Sequence, residues 1–547
     1  MAVGNKAAGF ALGYGVTMMV ALLAVQLHRR RKDRRRRKHT LAHTPRTQRL
    51  PKILSNLVST GYGSGASYAP SSPSTPGGRF GTPRRHDWNR SMSSQMGALQ
   101  QLPRNRQTQR LGYWTMSRKL VLVMVGLPAR GKSYIVKMLI RYLNWIGFPT
   151  KVFNIGDYRR RLGYGGVDKS FFERGNEEGQ RLRLGNDRIL HQVAQDEMYE
   201  WLQQDDGAKV ALFDATNTTK ARRHLLVQRS KVEKNSMLVF IESICDDPEI
   251  LSQNYKLKLK NDDYKNQDPD AALRDFKQRV KAYETVYETI EDNEDRGGIQ
   301  YIKLYNVGQK VVTRNCKGYL PSQVAFYLQN IHIGPRKIWL TRPAESVMSD
   351  YGDDYEVGEE VEELTEEGRR YSMAVAKYLQ AEQETSRITG PGAEILIMAG
   401  THKVDRESIA HMQMLYPVAT TPLLNELHGG EFTGMDRASF RAQYPEMWEK
   451  REQDKLEFRF PGTGGESYQD VIQRVRPIIV ELERQQRSLV VVCHLAVQRC
   501  LHAYFMGIDV SKVPYIDLPM HQLTELIPSP FGTGCRHISQ AEMLSSS

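Results

Sequence analysis

Residues Gly126-Leu127-Pro128-Ala129-Arg130-Gly131-Lys132-Ser133 have the types and spacing, G-x4-G-K-S, of a loop that wraps phosphate groups. Gly126 and Gly131 let backbone N–H groups converge on phosphate oxygens. Lys132 can neutralise the β and γ phosphates, and the Ser133 hydroxyl can ligate Mg2+. The chemistry this predicts is phosphoryl transfer from ATP. A second chemical group follows at Asp214, which ends the apolar run Val210 to Phe213. An acid at the carboxyl end of a parallel strand lies near such a loop, so Asp214 is expected to organise Mg2+ or to take the proton of an acceptor hydroxyl. The stretch FDATNTTKARR then places Thr216 to Thr219 and Arg222 just beyond that acid.

These groups need a sheet to hold them. Lys119 to Val125 (KLVLVMV) is a continuous apolar run that fits a buried parallel strand feeding the glycine turn, and SYIVKMLIRYLNW behind it has helical apolar spacing. Further apolar runs at Val210 to Phe213 and Met237 to Ile241 alternate with helical stretches, which predicts a βα succession and a mainly parallel sheet. Near residue 335 the pattern restarts. Lys337 to Thr341 reads as a new first strand and Leu489 to Cys493 as a later one that ends at His494, so a second α/β domain is expected over 335–547 after a first over 119–334.

The 547 residues carry a formal charge of +15, but the first 118 hold 21 Lys and Arg against Asp33 and Asp87. The basic character therefore belongs to the leader, and the remaining body is slightly acidic. That argues against nucleic acid as a partner. Five scattered cysteines, odd in number and with no C-x-x-C pair, suggest neither a disulfide framework nor a zinc site and favour a reducing compartment.

Within the leader, Gly9 to Leu27 runs nineteen residues without a charge, and a dense Arg/Lys run follows from Arg29 to Lys38. As a helix at ~1.5 Å per residue the apolar run nearly matches a ~30 Å hydrocarbon core, and a basic flank stays on the cytoplasmic side. Residues 1–28 are accordingly expected to be an uncleaved membrane anchor that leaves the body in the cytosol; a cleaved or organelle-targeting peptide is the alternative. Residues 29–118 pass from this basic run into a Ser-, Pro-, Gly- and Arg-rich stretch, which reads as a disordered linker.

The stretches GLPARGKSYI, RYLNWIGFPTKVFNIGDYRR, FDATNTT, FIESICDDP and ESYQDVIQRVRPIIVELERQ resemble the bifunctional 6-phosphofructo-2-kinase/fructose-2,6-bisphosphatase family over about Lys119 to Ile538. The resemblance implies a P-loop kinase domain followed by a phosphoglycerate-mutase-like histidine phosphatase domain. It implies transfer of the ATP γ-phosphoryl group to the 2-hydroxyl of fructose 6-phosphate, giving fructose 2,6-bisphosphate, a regulator of glycolysis. By motif, it places ATP on Gly126 to Tyr134 with Cys245 beside the nucleotide. It places fructose 6-phosphate on Arg159, Arg183, Thr216, Arg222, Lys258, Arg279 and Tyr283, a cation-rich set suited to a dianionic phosphate. Two departures stand out: Phe171 to Gly175 in place of the family's FFxPD, and a loop before Lys258 that is one residue shorter.

In the second half the family's R-H-G-E motif, whose histidine accepts the phosphoryl group, reads Arg342-Pro343-Ala344-Glu345. Proline has no nitrogen that can accept a phosphoryl group, so the covalent route has lost its nucleophile. Arg342, Glu426, Lys455, Tyr468, His494 and Arg499 are retained, whereas the later asparagine is Ser349, R-x-G-G-D reads Tyr351 to Asp354, and T-S-x-x-K-R-T reads GTHKVDRES. The expectation is a domain that no longer hydrolyses the bisphosphate and serves as a sugar-phosphate sensor, as a platform for a homodimer, or as a structural remnant; the alternatives are an enzyme that keeps both activities with His494 as a relocated nucleophile, and a pseudoenzyme scaffold that binds nucleotide without turnover.

Overall fold

The computed structural model describes residues 119–161, 177–204, 207–233, 236–259, 268–347, 363–385, 394–529 and 532–546, with 177–188 described in backbone only. The membrane-anchor and linker expectations, Phe171 to Gly175, and Ser349 with Tyr351 to Asp354 lie outside these residues. Among the described residues, no helix is long and apolar enough to cross a membrane.

The first sheet is built around β1 (Lys119–Val125), every residue of which after Lys119 is buried. Such a strand is covered on both faces, which explains its unbroken apolar sequence. β2 (Thr150–Asn154), β3 (Val210–Asp214), β4 (Ser236–Ile244), β5 (Tyr301–Tyr305) and β6 (Lys310–Arg314) complete the order β2-β3-β1-β4-β5-β6. All neighbours run parallel except β5 and β6. The helices are α1 (Lys132–Trp145), α2 (Ile155–Arg161), α3 (Glu177–Leu202), α4 (Lys220–Val232), α5 (Pro248–Lys258), α6 (Pro269–Glu284) and α7 (Tyr319–Gln329). Asp247 and Asp268 cap α5 and α6, each accepting backbone N–H bonds and each followed by a proline at the first helical turn. The segment before Lys258 is therefore the helix α5, with Lys258 its last residue, where the sequence reading placed a loop.

The second sheet contains β7 (Ile338–Thr341), β8 (Leu396–Ala399), β9 (Val418–Thr420), β10 (Leu489–Val492), β11 (Gln522–Ser529) and β12 (Gly532–Ser539) in the order β12-β11-β7-β10-β8-β9. β7, β10, β8 and β9 are mutually parallel, and the β11–β12 hairpin adds antiparallel to β7. Its helices are α8 (Glu366–Thr385), α9 (Lys403–Ser408), α10 (Arg437–Gln443), α11 (Pro445–Gln453), α12 (Tyr468–Arg474), α13 (Arg476–Arg484), α14 (Leu495–Met506) and α15 (Gln540–Ser546).

The two sheets belong to one compact unit. One apolar cluster is continuous between them, from Leu139, Tyr142 and Trp145 of α1 through Tyr327 of α7 to Leu501 and Tyr504 of α14. Tyr142 stacks on Tyr327 with ring centres 4.1 Å apart, and Trp145 meets Tyr504 edge-on at 5.8 Å. At the middle of this seam sits Glu483, 1% exposed. Its Oε1 accepts from Arg141 Nη2 at 2.5 Å, Tyr504 Oη at 2.7 Å and Tyr327 Oη at 3.3 Å, and its Oε2 faces Arg336 Nη2 at 3.4 Å.

Candidate active site

β1 ends directly in the phosphate loop. Gly126 adopts φ +135, and a Cβ there would stand 2.5 Å from the carbonyl oxygen of Ser243 on the adjacent β4, so the position accepts only glycine. Gly131, at φ +80, starts α1. Between them Ala129 is held in the left-handed region at φ 58, an unusual state for a residue with a side chain and one common where a loop is shaped for a ligand. Neighbours fix the loop from outside: Asn254 Nδ2 donates to Ala129 O at 3.0 Å, and the Ser243 hydroxyl donates to Arg130 O. Arg130 itself reaches Tyr255 Oη at 3.3 Å and Glu284 Oε1 at 3.4 Å, which ties the loop to α5 and α6.

Lys132 is 8% exposed and donates to Gly126 O at 2.8 Å and Leu127 O at 2.6 Å. Burial lowers its pKa to about 7, against the pull of Asp214 and with help from Lys258 and Arg130. An ammonium held this weakly is poised to gain from an arriving polyanion, whose phosphates would restore its charge. Asp214, 5% exposed, lies at the end of β3 in register with Asn154 of β2, whose Nδ2 donates to Asp214 Oδ2 at 2.7 Å. The Ser133 hydroxyl donates to the same oxygen at 3.4 Å. Burial raises the Asp214 pKa, opposed first by Lys132 and then by Lys258. Hydroxyl, carboxylate and ammonium thus converge at the carboxyl edge of the sheet, where an α/β fold binds ligands.

The other expected residues fall on elements around this edge. Lys258 comes close enough to both Lys132 and Asp214 to influence their charge. Cys245 is buried just past β4 within the electrostatic reach of Arg130, and burial raises its thiol pKa. The backbone oxygen of Thr216 accepts the Gly126 N–H at 2.9 Å, which joins the turn after β3 to the phosphate loop. Arg222 lies in the first turn of α4 and adds to the lowering that burial imposes on the His191 pKa, Arg159 lies on α2, and Arg279 and Tyr283 lie on α6. Arg183 lies on α3, where the side chain is outside the described residues.

In the second sheet, Arg342-Pro343-Ala344 follows β7. Ala344 is 2% exposed and its N–H donates to Ser408 Oγ at 2.8 Å, so this position is packed against α9. Glu426, 7% exposed, accepts from Leu427 N at 2.7 Å and Ala496 N at 3.2 Å. Burial raises its pKa against the opposing influence of His494, these N–H bonds and Arg342. Arg499 is engaged by Tyr468 Oη at 2.8 Å and Ile516 O at 2.7 Å, and Lys455 pairs with Glu452 at 3.2 Å. The structure therefore gathers Arg342, Glu426 and His494 at one edge. Arg499 and Tyr468 are joined to each other.

Residues 108–335 match the family model described as 6-phosphofructo-2-kinase, and residues 338–540 that of the histidine phosphatase superfamily (branch 1). A 6-phosphofructo-2-kinase/fructose-2,6-bisphosphatase of Aquarana catesbeiana is 37% identical over 413 residues, covering 75% of this chain and 83% of that protein. The chain belongs to the 6-phosphofructo-2-kinase/fructose-2,6-bisphosphatase family. Among other members, 6-phosphofructo-2-kinase/fructose-2,6-bisphosphatase 1 of Rattus norvegicus is 38% identical, covering 76% of this chain and 83% of that one. A protein named probable 6-phosphofructo-2-kinase of Schizosaccharomyces pombe is 34% identical, covering 76% and 69%.

For this family member, sequence reasoning missed several residues that hold the site. Asn217, fully buried at φ 44, donates from Nδ2 to Met124 O at 2.8 Å and so links the β3 turn to β1. Arg223 is the buried neighbour of Arg222. It pairs with Glu294 at 2.6 Å and donates to Asn217 O at 3.2 Å and Glu288 O at 2.9 Å. Asn154 was visible only as the strand residue before IGDYRR. Arg474 braces the Glu426 loop through Asn425 O at 3.0 Å and Glu426 O at 3.2 Å.

Proposed function

We propose that this chain transfers the γ-phosphoryl group of ATP to the 2-hydroxyl of fructose 6-phosphate and has lost the hydrolysis of the product. The observation that carries the kinase reading is the convergence of Lys132, Ser133 and Asp214 at the end of β1 and β3, with the Ser133 hydroxyl 3.4 Å from a buried carboxylate oxygen. A hydroxyl and a carboxylate are the hard oxygen donors that Mg2+ takes, so the set fits that ion. When bound, Mg2+ supplies charge neutralisation between the β and γ phosphates. Lys132 leaves its two carbonyl partners for phosphate oxygens, and the N–H groups from Gly131 onward present the positive end of α1 to them. Asn154 holds one Asp214 oxygen in place, leaving the other for the metal shell or for the acceptor's proton. Arg159, Arg183, Thr216, Arg222, Lys258, Arg279 and Tyr283 are proposed to hold the sugar phosphate; positioning and charge carry most of such a reaction.

Loss of the bisphosphatase rests on Pro343. The S. pombe relative is named for the kinase and the two vertebrate relatives for both activities, at similar identity. The side chain at position 343 bears on the question more directly: a buried pyrrolidine offers no nucleophile. We further propose that residues 9–27 anchor the enzyme with its body in the cytosol, on the strength of the uncharged run and its basic flank.

The full-length chain with MgATP and fructose 6-phosphate should form an acid-labile fructose bisphosphate, with Lys132→Met about 10²–10³-fold slower. Folded protein that makes no product at saturating substrate refutes the kinase reading. With radiolabelled fructose 2,6-bisphosphate the chain should neither release phosphate nor carry label. A labelled protein band that disappears in His494→Ala would show that hydrolysis persists through a second nucleophile.

A further inference from the structure

The strands β8 and β10 are adjacent and parallel, with Ala399 opposite Val492. Two to three residues beyond each strand end stands a histidine, His402 at the start of α9 and His494 at the start of α14. Their rings lie edge to face with centres 5.4 Å apart. Between them comes Asp405, fully buried, with Oδ1 at 3.3 Å from His494 Nε2. One donor atom from each of the three residues falls within 4.8 Å of the other two. His402 is 4% exposed and the His494 side chain 17%.

We propose that His402, Asp405 and His494 bind one divalent transition-metal ion of the zinc class. Two imidazoles and a carboxylate are a ligand set that Zn2+ takes at ~2.0–2.2 Å, and tetrahedral donors then lie about 3.3 Å apart. The Asp405–His494 separation of 3.3 Å already matches that, and the wider spacings, up to 4.8 Å, must close by rotation of the His402 and His494 rings. The carboxylate is already oriented, since Asp405 Oδ2 accepts the backbone N–H of His402 at 3.0 Å and Oδ1 is left facing His494. A carboxylate with no solvent exposure requires a compensating positive charge. A divalent ion supplies it. The competing source is a proton on His494, with the ring of His402 serving only as the helix cap. The ion would sit where the GTHKVDRES loop meets the second histidine, with the Glu426 carboxyl close enough to His494 to feel its charge. Three protein ligands leave a coordination position for water or a phosphate oxygen.

The test uses the full-length chain carrying Cys535→Ser, because Cys535 Sγ and His537 Nε2, 3.8 Å apart on β12, offer zinc a second place to bind. Zn2+ is titrated calorimetrically in excess Mg2+, and Co2+ is followed by its visible absorption. The expected result is one equivalent bound, a tetrahedral Co2+ spectrum, and at least tenfold weaker binding in each of Asp405→Asn, His402→Gln and His494→Gln. Far-UV circular dichroism and urea unfolding midpoints matching the parent's show that these variants remain folded. Binding below a tenth of an equivalent, or the same affinity in all three variants, overturns the proposal in favour of the proton-held pair. The outcome is independent of the kinase reading.

Discussion

Replacement of Glu483 by alanine should break the seam between the two sheets. The carboxylate is 1% exposed and is shared by Arg141, Arg336, Tyr327 and Tyr504. Its removal leaves two guanidinium groups, one 17% and the other 2% exposed, without their common counter-charge. Breaking a buried pair in this way costs about 3–5 kcal/mol, since the remaining charge stays desolvated. Arg336 keeps bonds to Leu482 O and His332 O, which places the expected loss toward the lower end. With a urea m-value of about 2–3 kcal/mol/M, the unfolding midpoint should fall by about 1–2 M. Tryptophan fluorescence, to which Trp145 at the seam contributes, and far-UV circular dichroism follow the unfolding; a separation of the two curves would show that it is not a single step. Glu483→Gln keeps the shape and half of the hydrogen bonding and should lose less. A combined Arg141→Met, Arg336→Met, Glu483→Leu variant should recover most of the stability, because no charge is then left buried. An alanine variant that unfolds within about 0.3 M of the parent would refute the reasoning, taking the same m-value. So would a triple variant as unstable as the single one.

Gly126→Ala should raise the KM for MgATP at least about tenfold and cost about 1–3 kcal/mol, because the new methyl meets the Ser243 carbonyl at 2.5 Å and the backbone resists φ +135; steady-state kinetics with a urea titration check both effects. His191 gives a pH signature. Burial, with Arg222, depresses its pKa to about 3, so between the unfolded value of about 6.5 and that folded value only the unfolded chain takes up the proton. Stability is then lost as pH falls through about 6.5, reaching a loss of about 2 kcal/mol near pH 5. In urea titrations at about pH 7.5 and pH 5, His191→Gln should show a stability difference smaller than the parent's by that amount, and equal differences would refute the assignment.

The parts of the site that are contiguous in the chain were legible before the structure. Strand, glycine loop and helix succeed one another from Lys119 to Trp145, and each step has its own local signal. Asp214 was legible because a five-residue apolar strand ends on it. Arg222 and Arg223 show where this reading stops: adjacent on one helix, they differ by about 100° in direction. Only the fold decides that Arg223 is buried against Glu294 while Arg222 lies on the His191 side. Glu483 carried no signal either, since ELERQ reads as an ordinary amphipathic helix end. The second half has four-residue strands at β7, β8 and β10, too short for a periodicity of their own. There the sequence spoke chiefly through what was missing from a motif, and His402 with Asp405 appeared in it only as replaced positions.

Helix α1 has two ends with different duties. Its first residue is Lys132 in the phosphate loop, and its last is Trp145 against Tyr504 of the second half. Arg476 adds a bond to Ile146 O at 3.0 Å. At ~1.5 Å per residue, about 21 Å of rigid rod runs from the phosphate-binding end to Trp145, with Leu139, Arg141 and Tyr142 meeting the seam along the way. A phosphatase half without chemistry would still be a foundation, because Tyr142, Trp145 and Tyr327 would face water without it and the rod would lose its bearing. On the reading proposed above, selection on the kinase alone would preserve the second half's packing whether or not its own pocket is used.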